Sequence, residues 1–350
     1  MLRIRAKAIK NIDDLKAALQ NAIRLEQATI PPYLTAYMTL KGTTPGTKHA
    51  RRIIQNIVVE EMLHMSLAAN ILNAIGGAPI VNATQKYPSP LPMGIGDDDG
   101  EAPGQALQVG LKRYSKDLVE KVFMQIEEPL HPLPVAALAV AEGPYTTIGE
   151  FYAGVRAEIR RQGDKIFQGG GGNPQVLGWF ASGEVAVTDV ASAERAIETI
   201  VQQGEGTTMS PVDLEDDIAH YYRFVELARG FEIDRAASVA QKKIVLDQTR
   251  PIVIDDANDV IQMVDNPQRV PIDRQTDWRA AQLSDECDLA YSRLLVALHK
   301  AFNGAPDKMG DALSLMFEFR TIAEELLQQR LSGSGQSPGP RFLIVPGAAA

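Results

Sequence analysis

The stretch from Ile53 to Ile75, IIQNIVVEEMLHMSLAANILNAI, limits what this chain can fold into more than any other. At helical spacing one row reads Ala50, Ile54, Ile57, Glu61, His64, Ala68, Ile71, Ile75. Its only polar members are a glutamate and a histidine three residues apart on a stripe built for the interior. A carboxylate buried there without a partner costs on the order of several kcal/mol, so the fold must supply a proton, a counter-charge or a metal. Glu-x-x-His on one helix face is what a single helix contributes to a dinuclear carboxylate bundle. Glu60 lies on a mixed flank with Arg52, Asn56, Leu63 and Leu67, and is expected to support the site from behind or to be solvated.

The preceding helix is predicted from about Asp13 to Leu40, with Asn11 or Asp13 as its cap and Gly42 as its stop. Its apolar row is Leu15, Leu19, Ala22, Glu26, Ile30, Tyr33, Tyr37, Leu40, in which Glu26 is the one charge. Glu26 either pairs with a basic residue such as Arg24 or Arg51 or joins a buried site. Pro31 and Pro32 remove two amide donors one turn later and should kink the helix and free carbonyls. The TTPGT connection, Thr43 to Thr47, is short enough to return the next helix antiparallel. At about 1.5 Å per residue, Glu26 and Glu61 then meet near mid-helix.

Further helices are predicted at Leu118 to Glu127, Thr147 to Gln162, Ala193 to Gly204 and Asp213 to Ala228, with a short strand at Glu184 to Asp189. Glu150 shares a row with the small residues Thr147, Gly154 and Ala157. It can reach a buried centre, or it can close a capping box with Thr147. Glu205 sits between the helix-breaking Gly204 and Gly206. His220 lies beside an apolar row, three residues after Asp217, where a satisfied core histidine is the plainer explanation. Asp97 to Gly100 lacks the ligand spacing of a calcium loop. Gly169 to Gly172 fits no phosphate-binding motif, and His131 stands alone in a proline-bracketed coil. Leu283 to Phe302 and Lys308 to Leu331 form a helical hairpin, followed by a Gly/Ser/Pro-rich end whose Phe342 to Val345 either docks on the body or stays loose.

The chain divides into three organisational units: residues 1–231 as a helical bundle carrying the site, 232–331 as an irregular segment plus hairpin, and 332–350 as a flexible tail. The net charge of −9 argues against nucleic acid or an anionic membrane as partner. The single cysteine, Cys287, excludes an internal disulfide and a thiolate metal site. It lies in the apolar run Leu283, Cys287, Ala290, Leu294 as a small core filler. The N-terminus has no apolar core of the roughly 7–15 residues a signal peptide needs, and no segment is apolar for the roughly 18 a membrane span needs. A cytoplasmic setting is expected.

Glu26, Glu61 with His64, Glu150, and Glu205 or Asp217 with His220 supply four carboxylates and two histidines from successive helices. That inventory matches an all-α four-helix bundle holding two metal ions, and oxygen and imidazole donors without thiolate suit iron, manganese or zinc.

The segments LEQATIPPYLTAY (Leu25 to Tyr37), VVEEMLHMSLAANILNAIGGAP (Val58 to Pro79), FMQIEEP (Phe123 to Pro129), TIGEFY (Thr147 to Tyr152), IVQQGEGT (Ile200 to Thr207) and HYYRFVEL (His220 to Leu227) resemble the ferritin-like domain of the iminophenyl-pyruvate dimer synthase family. Its long members in violacein and rebeccamycin-type pathways couple tryptophan-derived imines oxidatively. The resemblance implies a ferritin-like four-helix bundle with long loops and an appended C-terminal hairpin. It gives ligand roles to Glu26, Glu61, His64, Glu150 and His220, with Glu205 preferred over Asp217 as the last carboxylate. It implies a di-iron oxidoreductase that uses O₂ on a small amino-acid-derived or aromatic substrate in secondary metabolism. Glu60 would tune a histidine, and Tyr33, Tyr37, Tyr221 and Tyr222 would wall the pocket or carry radicals, although packing alone also explains such tyrosines. A ferroxidase would use the same ligands, and a metal-free helical binding protein is the third reading. A homo-oligomer is compatible with each.

Overall fold

The computed structural model describes residues 4, 8–83, 85–94, 107–129, 133, 147–167, 173–206, 210–212 and 217–347. Helix α1 spans Ile12–Thr39 and α2 Pro45–Ala74; α3 spans 116–127, with Val119–Phe123 wound as a π turn. Next come α4 (Ile148–Gln162), α5 (Val190–Glu205) and α6 (His220–Arg229). Beyond them lie β1 (Phe231–Ile233), α7 (Arg235–Gln241), β2 (Leu246–Pro251), α8 (Trp278–Phe302) and α9 (Met309–Gln328). Among the described residues the fold is an all-α bundle with one small antiparallel β1–β2 pair.

The two long helices start where their caps dictate. Asn11 accepts the amides of Asp13 and Asp14, and Thr44 forms a reciprocal pair with Thr47 ahead of Pro45. Helix α1 runs on through both prolines to Thr39. Pro31 and Pro32 have no N–H for the carbonyls of Gln27 and Ala28, and the Tyr87 hydroxyl donates to Ala28 O at 2.8 Å in compensation.

The other two bundle helices are each made of two pieces. Along α1, Thr39 meets Tyr114, Tyr33 meets Phe123 and Glu127, Glu26 meets Tyr152, and Lys10 meets Arg161. Helices α3 and α4 are therefore consecutive halves of one antiparallel partner to α1. Along α2, His49 meets Glu226, Glu60 meets His220, and His64 meets Gln203. Helices α5 and α6 are likewise two halves of a partner to α2. Both broken helices have their gap at the level of Glu26, Glu61 and His64.

The hairpin α8–α9 packs on the outer side of α1 and α2, tied by Asn73 Nδ2 donating to Phe302 O and Asn303 Nδ2 donating to Pro79 O, each at 2.8 Å. Cys287 is buried in α8. Three expectations are corrected. Residues 184–188 form no strand. Helix α6 begins at His220 rather than Asp213. The tail is docked rather than loose: Phe342 is buried against Tyr291 and Phe319, and Arg341 Nε donates to Asp288 Oδ2 at 2.9 Å. Asp97 to Gly100, His131 and Gly169 to Gly172 lie outside the described residues.

Candidate metal centre

Among the described residues, Glu61, His64 and His220 bring one donor atom each within 4.8 Å of one another, and all three are buried. The rings of His64 and His220 stack with centroids 5.3 Å apart. Each histidine is held from behind by its Nε2. His64 Nε2 lies 2.9 Å from Gln203 Oε1 on α5, and His220 Nε2 lies 2.7 Å from Glu60 Oε2 on α2. Both partners accept, so each Nε2 carries a hydrogen, which leaves Nδ1 as the ring nitrogen that a metal could take. Both Nδ1 atoms face carboxylates. His64 Nδ1 is 3.8 Å from Glu61 Oε1; His220 Nδ1 is 3.0 Å from the same oxygen and 3.6 Å from Glu127 Oε2. Among the described residues, His220 Nδ1 is fully buried and finds no well-formed hydrogen bond. An orphaned imidazole nitrogen aimed at carboxylate oxygens is what a metal ligand looks like without its ion, so the donor set fits a carboxylate–histidine centre.

The carboxylates are fixed as firmly. Tyr152 donates to Glu26 Oε1 at 2.7 Å, Thr29 to Glu61 Oε2 at 2.6 Å, and Tyr33 to Glu127 Oε1 at 2.5 Å. Burial holds the hydroxyls of Tyr33 and Tyr152 far above their usual pKa, helped by the neighbouring carboxylates, so both stay donors. Burial, then the neighbouring Glu61, pushes the Glu26 carboxyl well above its ordinary pKa. Burial and the charge of Glu127 raise Glu61. Glu26 and Glu61, crowded in a buried site, resist ionising together without cations, and metal ions would displace the protons that otherwise sit there.

Glu60 behaves in the opposite way. Burial alone would raise it, but hydrogen bonds and charge from His220 and Arg223 bring it down to about 2. Arg223 Nη1 donates to its Oε1 at 3.0 Å. Burial, then the adjacent His220, lowers His64 to about 3, so it is neutral and free to ligate. Burial would lower His220 too, but Glu127, Glu60 and Glu61 together raise it well above the usual imidazole value. With a cation in place of those protons, its Nδ1 becomes a ligand.

The helix breaks deliver donors and dipoles to the same spot. Glu127 closes α3, Glu205 closes α5 and His220 opens α6. The N-terminus of α6 places partial positive charge beside the carboxylates. Gly149, in the first turn of α4, donates its N–H to Glu205 Oε1 at 2.7 Å. A Cβ at Gly149 would meet the Glu205 carboxylate and push it aside, so glycine permits this close approach. Burial raises Glu205 to about 7, against the opposing hydrogen bond from Gly149.

The Ferritin-like family matches this sequence over residues 19–229, the segment that contains every donor above. The chain belongs to the Ferritin-like family. Dichlorochromopyrrolate synthase of Lentzea aerocolonigenes is 23% identical to it over 384 aligned positions, which take in 94% of this chain and 36% of the synthase. The chain thus spans 36% of the length of that relative. A crystal structure at 1.95 Å of a ferritin-like protein from Caulobacter vibrioides shares the fold with a TM-score of 0.60 and 20% identity, over 95% of this chain and 100% of the other.

Within this Ferritin-like chain the residues singled out from sequence fall into two groups. Glu26, Glu61, His64 and His220 converge, with Glu60 behind His220 rather than His64. Among the described residues Glu26 meets no arginine: Arg51 Nη1 instead donates to Leu40 O at 2.6 Å. Glu205 stands at the rim, bonded to Gly149. Glu150 does not join the cluster, which corrects the ligand role given to it. It is exposed, and its Oε2 accepts the Thr147 amide at 3.1 Å in a capping box. Asp217 is not on the helix of His220 and pairs with Arg223 and Arg235. Tyr37 and Tyr221 also stand apart. Tyr37 lies under the Arg51 guanidinium, 4.2 Å from its ring centroid, and Tyr221 packs edge-on to Tyr222. Sequence reasoning passed over Glu127, Tyr152 and Gln203. The signal for Glu127 was present: Val119, Phe123 and Glu127 form an apolar row interrupted by one carboxylate, as in α2. The π turn in α3, whose wider i→i+5 winding shifts the helical phase of the residues after it, carries Glu127 inward.

Proposed function

We propose that this protein is a di-iron oxidoreductase that uses O₂ to oxidise a small amino-acid-derived or aromatic molecule. The observation that carries the reading is the pair of buried imidazoles whose Nδ1 atoms face Glu61 and Glu127 while their Nε2 atoms are held by Gln203 and Glu60. Glu26, Glu61, Glu127, His64 and His220 would hold the ions. Iron bound there would supply electrons to O₂ and make the site an oxidant for an organic substrate.

The chain's own residues set the conditions. Thr29, Tyr33 and Tyr152 fix three carboxylates before any ion arrives, which lowers the reorganisation needed on binding. Glu60, kept ionised by His220 and Arg223, orients His220 and raises its basicity. Glu205, near 7, is the group at the rim placed to give or take a proton at neutral pH. Oxidation of an organic molecule, rather than storage of iron, is favoured by the likeness to dichlorochromopyrrolate synthase across 94% of this chain. Imine coupling in secondary metabolism, the chemistry of the dimer synthase family, is the specific form proposed.

The test is anaerobic Fe(II) loading followed by O₂, with and without the imine of indole-3-pyruvate. An oxidase consumes O₂ in proportion to loss of the organic molecule. O₂ uptake tied only to Fe(II) would make it a ferroxidase, and no bound metal after loading would remove both readings.

A further inference from the structure

On the side of α1 and α2 away from the carboxylates, the hairpin α8–α9 does not close fully. It leaves a cavity of about 310 Å³ whose walls are almost wholly leucine, methionine and aromatic side chains. None of the candidate ligands lines it. A far smaller apolar cavity, about 150 Å³ in an engineered case, already stays dry and takes up benzene.

Its shape follows from the helices that bound it. The walls run from Gln55 to Met65 on α2 and from Met309 to Arg320 on α9, which at a rise of about 1.5 Å per residue makes a slot about 15 Å long. One end is apolar, with Met65, Phe302 and Met309. The other carries Tyr37, Gln55 and Arg320, while Gln27 and Tyr291, which also line the cavity, are hydrogen-bonded to each other. Arg320 is half-exposed; its Nε is engaged by Glu324 at 2.9 Å, and its guanidinium lies 5.6 Å from the Tyr37 ring centroid. Trp179 and Phe317, both exposed, line the cavity as well.

From a long, narrow apolar slot with a cation at one end, we infer that this cavity binds a medium-chain linear carboxylic acid, its chain between the bundle and the hairpin and its carboxylate at Arg320. A linear chain fills a slot of this length, and flexible methionine and leucine walls adapt to it. The carboxylate meets charge-assisted donors where the cavity reaches water, without the cost of burying its charge.

Calorimetric titration of the full chain with laurate and, separately, 1-dodecanol tests this. Leu313→Trp fills the slot from α9 and Met62→Trp from α2; Arg320→Gln removes the cation at the cost of an exposed ion pair and a contact with the Tyr37 ring. Saturable binding of laurate at one site is expected, lost in both tryptophan variants whose thermal melts stay cooperative. Arg320→Gln should weaken laurate by about tenfold, the loss expected for a hydrogen bond to a charged group, and leave dodecanol unchanged. Laurate binding that is absent, equal in wild type and both tryptophan variants, or unchanged in Arg320→Gln would overturn the proposal. Light scattering on the same samples identifies one alternative: a dimer that excludes laurate would assign the cavity mouth to a second copy of the chain.

Discussion

Helices α1 and α2 each have two working faces, and the two are built on opposite principles. The inner face, against α3 to α6, packs charged and polar groups into the core: Glu26, Glu61, His64, Glu127 and His220, pinned by Thr29, Tyr33, Tyr152, Gln203 and Glu60. The outer face, against α8 and α9, is almost entirely apolar and leaves a cavity. The inner face gives up stability for a geometry that only cations satisfy. The outer face derives its stability from apolar burial and tolerates a void. One pair of helices therefore separates the two properties, and substitutions on each face should have contrasting signatures.

The largest stability effect is expected on the outer face. Phe302 is fully buried at the junction of α8 with α2, and Phe302→Ala should cost about 3–5 kcal/mol in chemical denaturation. Bound iron per chain, measured below the unfolding transition, should stay at the wild-type level. A parallel loss of iron would show that the two faces are not independent.

On the inner face the signs reverse. Glu26→Gln preserves an acceptor for the Tyr152 hydroxyl and removes a group that burial and Glu61 hold well above its ordinary pKa. Such a raised carboxyl contributes fully below its ordinary value and loses that contribution as pH climbs. The metal-free variant should therefore be more stable than wild type at neutral pH. It should also lose most of its bound iron. A variant both less stable and fully metal-loaded would contradict the assignment of Glu26 to a metal site.

Much of this arrangement is legible in the sequence, and the illegible part has a physical cause. A charge on an apolar helical row is a local signal, and it finds Glu26 and the Glu61–His64 pair. Antiparallel return through a short connection places them at one level. What periodicity cannot show is that α3 with α4, and α5 with α6, are halves of two helices broken at that level. Periodicity therefore makes Glu127 only the last residue of a short helix, and Glu150, one turn into the next half, takes its place on the strength of small neighbours. The same residue fits a capping box, and capping depends only on local backbone. The start of α6 at His220 is hidden in the same way, because the apolar row of residues 214–225 continues across a segment that is extended at 217–219.

Glu205 sharpens the contrast by a smaller amount, because it stands between the polar core and water. Its carboxyl, raised to about 7 from an ordinary 4.5, costs the metal-free protein nothing below pH 4.5 and its full penalty only above 7. Glu205→Gln keeps an acceptor for Gly149 and should flatten that dependence. Melts across pH 4 to 9, a range of about five units, should show the variant gaining about 1–2 kcal/mol at the alkaline end, discounted for its partial exposure, and nothing at the acid end. Parallel curves would mean that Glu205 does not titrate near neutrality.

Glu150 carries the smallest effect and separates two explanations that share one set of residues. As a capping partner of Thr147, it accepts an amide at the exposed first turn of α4. Glu150→Ala should then cost about 0.5–1 kcal/mol, the usual value for half of a capping box, and leave iron content and O₂ consumption as they were. As a ligand, the same change would remove iron with little effect on the metal-free melt. The melt and the metal analysis move in opposite directions under the two assignments, so one variant decides whether α4 brings a carboxylate to the centre or only the hydroxyl of Tyr152.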